Sequence, residues 1–181
     1  MRRHILTGTP GAGKTSILRR LADHGCPVVE EAATTIIERA QARGEDEPWT
    51  RASFIDEVVE LQRQRQLEAH TTGPVQVFDR SPICTHTLAT YWGRSVSRAL
   101  STEIERITRD EVYEPRVLFV RNLGFCEPTS ARRIGFREAL VFERIHEQSY
   151  RAFGFTLIDI TAGDLVDRVA EVRSHITRPD S

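Results

Sequence analysis

The run Gly8-Thr9-Pro10-Gly11-Ala12-Gly13-Lys14-Thr15 constrains this chain more tightly than any other stretch. It fits G-x-x-x-x-G-K-[ST], the Walker A pattern, in which main-chain N–H groups curl around phosphate oxygens. Glycines permit the curl because their backbone reaches conformations closed to other residues. The lysine sets a compact ammonium on the outer phosphates, and the threonine hydroxyl holds Mg²⁺. Lys14 is the only lysine in 181 residues, since the other 24 of the 25 basic side chains are arginine. Lysine is kept where a point charge must fit a narrow ring of amides, a place that a planar guanidinium fills poorly. The motif needs a strand before it and a helix after it. His4-Ile5-Leu6 is short, apolar and runs into Gly8. Ile17, Leu18 and Leu21 lay one apolar stripe along Ser16–Ala22, and Gly25 and Pro27 end that helix. The expected nucleotide-binding set is Gly8 to Thr15 together with Ser16.

Strand and helix signals alternate through the remainder. The patterns predict a strand at Pro27–Glu30, a helix from about Ala32 to Ala42 and an acidic loop, Gly44–Trp49. A long helix follows from about Ala52 to Ala69, with Phe54, Val58 and Leu61 on one face, before Gly73-Pro74 breaks it. Val75–Phe78 is the third strand, closed by Asp79, and helices follow near Pro82–Tyr91 and Ser97–Val112. Arg116–Val120 is the fourth strand, and an arginine-rich helical stretch covers about Ser130–Ala152. Phe155–Ile160 is the fifth strand, and Leu165, Val169, Val172 and Ile176 stripe a last helix. Short continuous apolar strands between amphipathic helices specify an α/β fold, a buried parallel sheet with helices on both faces. Ligands of such sheets gather at the carboxyl ends of the strands.

The residues at those ends are therefore the candidates for chemistry. Asp79, at the end of the third strand, is placed to contact Mg²⁺ directly or through water, opposite Thr15. Asp79 and Ser81 also suit a helix N-cap ahead of Pro82. Arg80 between them can bind a phosphate or orient an acceptor. At the end of the second strand, Glu31, slightly ahead of Glu30, suits a general base for an attacking hydroxyl. Capping the next helix, or pairing with an arginine, is equally open to it. Arg133 and Arg137 stand four apart on one helix face between the fourth and fifth strands. There, mobile arginines can close on a transferred phosphoryl group, although a solvated basic helix is the plainer alternative. Ala162 and Gly163, past the fifth strand, are small enough to let an adenine lie against backbone, and Thr161–Asp164 also reads as a helix start. Trp49 could stack on an acceptor ring and Glu45, Asp46 and Glu47 could favour a cationic one, against the simpler reading of a surface loop.

Bulk properties narrow the class. A net charge of −1 gives no basic excess for a nucleic-acid partner. Apolar runs of four or five residues are too short to span a membrane, and Met1-Arg2-Arg3 precedes no secretory core, so a cytoplasmic protein is expected. Cys26, Cys84 and Cys126 form neither a metal pattern nor a disulfide framework. The length fits one domain over residues 1–181, with a lid at about 126–140.

With these residues in place, the chain resembles the P-loop kinase group, and within it the NadR-like, AAA-type ATPase family related to ribosylnicotinamide kinases. The resemblance rests on Gly8 to Thr15, Val29-Glu30-Glu31-Ala32, Phe78-Asp79-Arg80-Ser81-Pro82 and Arg121-Asn122-Leu123-Gly124-Phe125. It extends to Ala131-Arg132-Arg133 and Phe142-Glu143-Arg144-Ile145-His146, and so covers nearly the whole chain. It implies a three-layer P-loop NTPase fold with a five-stranded parallel sheet of order 2-3-1-4-5. By the same resemblance Lys14 and Thr15 hold phosphates and Mg²⁺, Asp79 and Arg80 sit at acceptor or metal, and Arg132, Arg133 and Arg137 close over ATP. The implied activity is ATP- and Mg²⁺-dependent phosphotransfer to a small-molecule acceptor (a nucleoside, nucleotide or similar metabolite) by a monomer or homodimer. The alternative is a nucleotide-dependent regulatory ATPase that switches a protein partner. A guanine-specific switch needs a second lysine in its recognition run, which this chain lacks.

Overall fold

Ile5 and Leu6 decide how the chain must pack. Neighbouring side chains of a strand point to opposite faces, and both of these are fully buried, so the strand that carries them is covered on both sides. The structure, a computed structural model, describes residues 1–69, 73–124 and 135–177. Strand β1 (Arg2–Gly8) is followed by α1 (Lys14–Asp23), β2 (Val28–Val29), α2 (Ala32–Gln41), a 3₁₀ turn (Pro48–Thr50) and α3 (Phe54–Glu68). Then come β3 (Val75–Asp79), α4 (Pro82–Tyr91), α5 (Arg98–Arg109), β4 (Arg116–Val120), α6 (Phe136–Ala152), β5 (Thr156–Ile160) and α7 (Leu165–Thr177). The five strands form one parallel sheet of order β2-β3-β1-β4-β5, as the resemblance implies.

The Leu6 side of the sheet packs on Ile17, Leu18 and Leu21 of α1 and on Val169, Val172 and Ile176 of α7. The Ile5 side meets Ile83 of α4, Ile107 of α5 and Tyr150 of α6. A third cluster joins α2, α3, α4 and α5 through Ile36, Phe54, Val58, Ala89 and Leu100. The apolar stripes expected on the long helix and the last helix are the ones that pack, although Leu61 and Leu165 are only partly covered. Among the described residues no helix is long and apolar enough to cross a membrane.

Register explains why the strand ends converge. Leu6 pairs with Asp79 of β3 and Gly8 with Val120 of β4, so β1, β3 and β4 finish side by side. Gly8 is dictated by that closeness: a Cβ there would stand 2.2 Å from the Val120 carbonyl oxygen, at a φ of +139°. Several elements are shorter than the patterns suggest, β2 most of all, which pairs with β3 over two residues only. The helix expected from about Ser130 begins at Phe136, where the Glu138 carboxylate accepts the Gly135 amide at 2.8 Å. Most of the expected lid, with Arg132, Arg133 and Cys126, lies outside the described residues.

Candidate active site

The phosphate end is built from main chain. Gly11 and Gly13 take φ of +83° and +82°, which turns the chain from β1 into α1. Helix α1 starts at Lys14 with no side-chain cap, so its first-turn amides have no intrahelical partner and face outward with the positive end of the helix dipole. Lys14 is buried, and its ammonium donates to the carbonyls of Gly8 at 3.0 Å and Thr9 at 2.8 Å. Burial pulls its pKa down to about 7, with the Arg80 charge adding to the fall and Asp79 and Glu31 opposing it. Thr15 and Ser16 are exposed at the head of α1, and Gly11, Gly13, Lys14 and Thr15 line a cavity of about 710 Å³.

Arg80 adopts a left-handed backbone, φ +73°, unusual for a side chain with a Cβ. Its amide donates to the Leu6 carbonyl at 3.1 Å, which fastens the turn to the end of β1. Strain of this kind collects where a side chain must be aimed. Here it points the guanidinium into the cavity wall, 2.5 Å from the Glu31 carboxylate. Of the roles open to Glu31, the structure shows the arginine pair, and the residue also stands at the N-cap position of α2 without a side-chain cap bond. Burial alone would raise its pKa, but the Arg80 charge, Lys14 and the Thr34 hydroxyl together hold it below the usual carboxylate range. Glu30 is exposed, and Arg65 holds the carbonyls of Glu30 and Glu31 at 2.8 Å each.

Asp79 is pushed up to about 6 by burial and by the neighbouring Glu31 charge, and its Oδ1 is buried without a hydrogen-bond partner. Mg²⁺ takes few protein ligands, usually one or two oxygens plus phosphates and water. The Thr15 hydroxyl and the orphaned Asp79 oxygen have that chemistry. Asp79 lines a recess of about 10 Å³ with Glu30, Arg65 and Tyr113, beside the cavity rather than in its wall. Ser81 is the N-cap of α4, accepting from the Ile83 amide at 3.3 Å, and its hydroxyl also meets Tyr150 Oη at 2.8 Å.

The far end of the cavity is aromatic. Trp49 comes from the 3₁₀ turn, Phe54 from α3, Tyr91 and Trp92 from the end of α4, and Phe142 from α6. Arg94 secures this wall by donating to the carbonyls of Trp49 at 2.7 Å and Arg51 at 3.1 Å while lying over the Trp92 ring. One amide, Gln62, faces the cavity with its oxygen on the Thr85 hydroxyl at 2.9 Å. Glu45 is paired with Arg51, and Glu45, Asp46 and Glu47 are absent from the wall, so Trp49 alone of the acidic loop borders the cavity.

Behind the phosphate loop lies a buried polar layer. His146 Nε2 stands 3.1 Å from the Thr7 hydroxyl and 3.2 Å from Cys84 Sγ, and Tyr150 Oη is 3.0 Å from the same sulfur. Glu143 accepts from Thr9 at 3.3 Å and from Arg121 and Asn122, tying α6 to the loop. Of the remaining expected residues that are described, Arg137, Ala162 and Gly163 do not line the cavity. Arg137 is exposed on the first turn of α6, and Ala162 and Gly163 are exposed between β5 and α7. Sequence reasoning passed over Gln62, Trp92, Tyr150 and Arg168. Only Arg168 carried a readable signal, a charge three residues after Leu165 and four before Val172 on the buried stripe of α7.

A sequence model of a family described as "AAA domain" matches residues 3–168. No curated protein sequence matches the chain. Among solved structures, a thymidylate kinase from Ehrlichia chaffeensis superposes with a TM-score of 0.62 at 12% identity, over 98% of this chain and 100% of that one. A deoxyadenosine kinase from M. mycoides with bound dATP gives 0.61 at 16%, over 98% and 100%. A NadR protein in complex with NAD and AMP-PNP gives 0.61 at 17%, over 99% of this chain and 51% of the NadR chain. These likenesses show the shared fold.

Proposed function

Because the chain belongs to the AAA domain family, matched over residues 3–168, we propose that it binds Mg²⁺-ATP at Gly8–Ser16 and transfers the terminal phosphoryl group to a small acceptor held in the aromatic end of the cavity. One observation carries the reading. Lys14, depressed to about 7 by burial, lines a cavity of about 710 Å³ whose wall also carries the rings of Trp49, Phe54, Tyr91, Trp92 and Phe142. A switch protein needs the first of these features and has no use for the second.

Phosphoryl transfer asks mainly for alignment and charge stabilisation. Lys14 turns from the Gly8 and Thr9 carbonyls to the outer phosphate oxygens, and the α1 amides hold the inner ones. Thr15 and Asp79 are the residues that would hold Mg²⁺, which would supply positive charge against the phosphate chain. Arg80, aimed by Glu31, meets the oxygens between donor and acceptor. Glu31 stays ionised in that pair, so it orients the acceptor hydroxyl more than it removes its proton, which suits a loose transition state. Arg132, Arg133 and Arg137 are the proposed closing arginines, and Ala162 and Gly163 the proposed adenine floor.

The wall also speaks to the acceptor. Among the described lining residues the cations are Lys14 and Arg80, both at the phosphate end. The rest of the wall offers rings, the Gln62 amide close to Arg80 and the Glu138 carboxylate. Planar uncharged rings stack well on such walls, whereas a second phosphate calls for a further arginine fork. A nucleoside-like acceptor with a free hydroxyl is favoured over a nucleotide. The test is ATP turnover against a panel of nucleosides and their monophosphates, with products identified by mass. Stimulation by nucleosides supports the reading, and turnover that no acceptor stimulates counts against it.

A further inference from the structure

Arg168 is the least expected charge in the molecule. It sits on the first turn of α7, is 4% exposed, and has no ion-paired carboxylate among the described residues. Its Nη2 donates to the Ala12 carbonyl at 2.7 Å and reaches the Arg121 carbonyl at 3.4 Å, while Nε has no partner. Its Nη1 lies so close behind Gly13 that a Cβ on that glycine would stand 2.9 Å away. Burial pulls its pKa below the ordinary guanidinium value, and Glu171, one turn along the helix, supplies an opposing attraction without a bond. Two carbonyls can be tied by a neutral amide at far lower desolvation cost, because a buried charge without a counter-charge is expensive. The uncompensated charge is the feature that needs a reason.

We propose that Arg168 is a nucleotide-positioning residue, a fixed cation behind the phosphate loop that sets Ala12 and Gly13 and acts through them as a counter-charge for a bound polyphosphate. It rests on reading Gly8–Thr15 as a phosphate loop. Three structural units meet at the guanidinium: the loop, the end of β4 at Arg121, and α7. The loop amides bring phosphate to one side of the Ala12–Gly13 backbone, and Arg168 holds the other. Among the described residues no carboxylate pairs with this cation, and the counter-charge proposed for it enters with the ligand.

The experiment is calorimetric titration of the full chain with ADP, inorganic tripolyphosphate and adenosine, beside melting curves. R168Q keeps a donor for Ala12 and loses the charge. It is expected to melt near wild type, to bind ADP and tripolyphosphate about tenfold more weakly, and to bind adenosine unchanged. R168K restores charge without the fork and is expected to return polyphosphate affinity to within about threefold of wild type. Equal polyphosphate affinity in R168Q and wild type, equal losses for adenosine and ADP, or R168K no better than R168Q would each overturn the proposal. Should R168Q fail to fold, R168K decides: affinity within about threefold supports the charge, and a loss of about tenfold in a normally melting protein overturns it. Wild-type protein that ignores tripolyphosphate would refute the phosphate loop itself, a pattern distinct from any of these.

Discussion

The two ends of the cavity are made of different material. The phosphate end is built largely on one short stretch, Gly8 to Thr15, joined by Arg80 and Glu31 from neighbouring strand ends. The acceptor end is side chains alone, drawn from residues as far apart as Trp49 and Phe142. Backbone amides fit an anion common to many substrates, and dispersed side chains fit whatever one acceptor requires. On the proposed function the first end carries the chemistry and the second its selectivity. Substitutions at each end should therefore separate cleanly, and the largest effect belongs to Lys14. In K14A, turnover is expected to fall by about 10³-fold, with circular dichroism and melting close to wild type, since a loop charge is lost and no core volume. An active K14A would break the division between the ends at once.

Next in size is a backbone effect. G8A places a methyl against the Val120 carbonyl at 2.2 Å and holds a left-handed φ that alanine resists. The ends of β1 and β4 must part to admit it. A loss of about 3 kcal/mol or more in denaturant unfolding is expected. An unchanged midpoint would mean that the strand ends are looser than their register implies.

These two positions also show why the phosphate end was legible in the sequence. A contiguous motif declares itself because its parts are neighbours along the chain as well as in space. The apolar stripes of α3 and α7 were legible for a related reason, since periodicity reports burial locally, whereas the sheet order followed from the family resemblance and not from any spacing. The family relationship read from these motifs holds over most of the chain. The acceptor wall was not legible. Trp92, Gln62 and Phe142 meet only after α3, α4 and α6 have packed, and no spacing along the chain encodes that meeting. Glu31 was readable as a strand-end carboxylate, but its partner followed from the left-handed turn at Arg80, which a non-glycine residue does not advertise.

A smaller effect sharpens the contrast from the acceptor end. Trp49 is half-buried, and its ring borders the cavity while its carbonyl is held by Arg94. W49A is expected to raise the acceptor KM about tenfold and to leave the KM for ATP within about twofold, because an aromatic contact is lost far from the phosphates. Steady-state kinetics with both substrates varied will show it. Parallel rises in the two constants would mean that the ends communicate, and that the wall holds the loop in place.

The smallest effect tests the layer that links the ends, and it is read in stability. His146 on α6 is fully buried, with Nε2 near Thr7 of β1 and Cys84 of α4, and Nδ1 without a partner. The rings of Phe119, Phe142 and Tyr150 surround it. Burial lowers its pKa well below 6.5, and the charges of Arg80 and Lys14 lower it further. Below about pH 6.5 the unfolded chain takes up a proton that the folded one refuses. The stability contributed by the neutral imidazole is therefore complete above that pH and is lost as pH falls, by up to about 1.4 kcal/mol per unit. His86 on α4 is also lowered by burial, but it titrates alike in wild type and variant and cancels in their difference. Between pH 7.5 and 5.5, wild type is expected to lose about 1 kcal/mol more than H146Q in denaturant unfolding. Parallel curves would mean that the folded imidazole takes up its proton at the same pH as in the unfolded chain, so that below about pH 6.5 the layer would hold a cation directly behind Lys14.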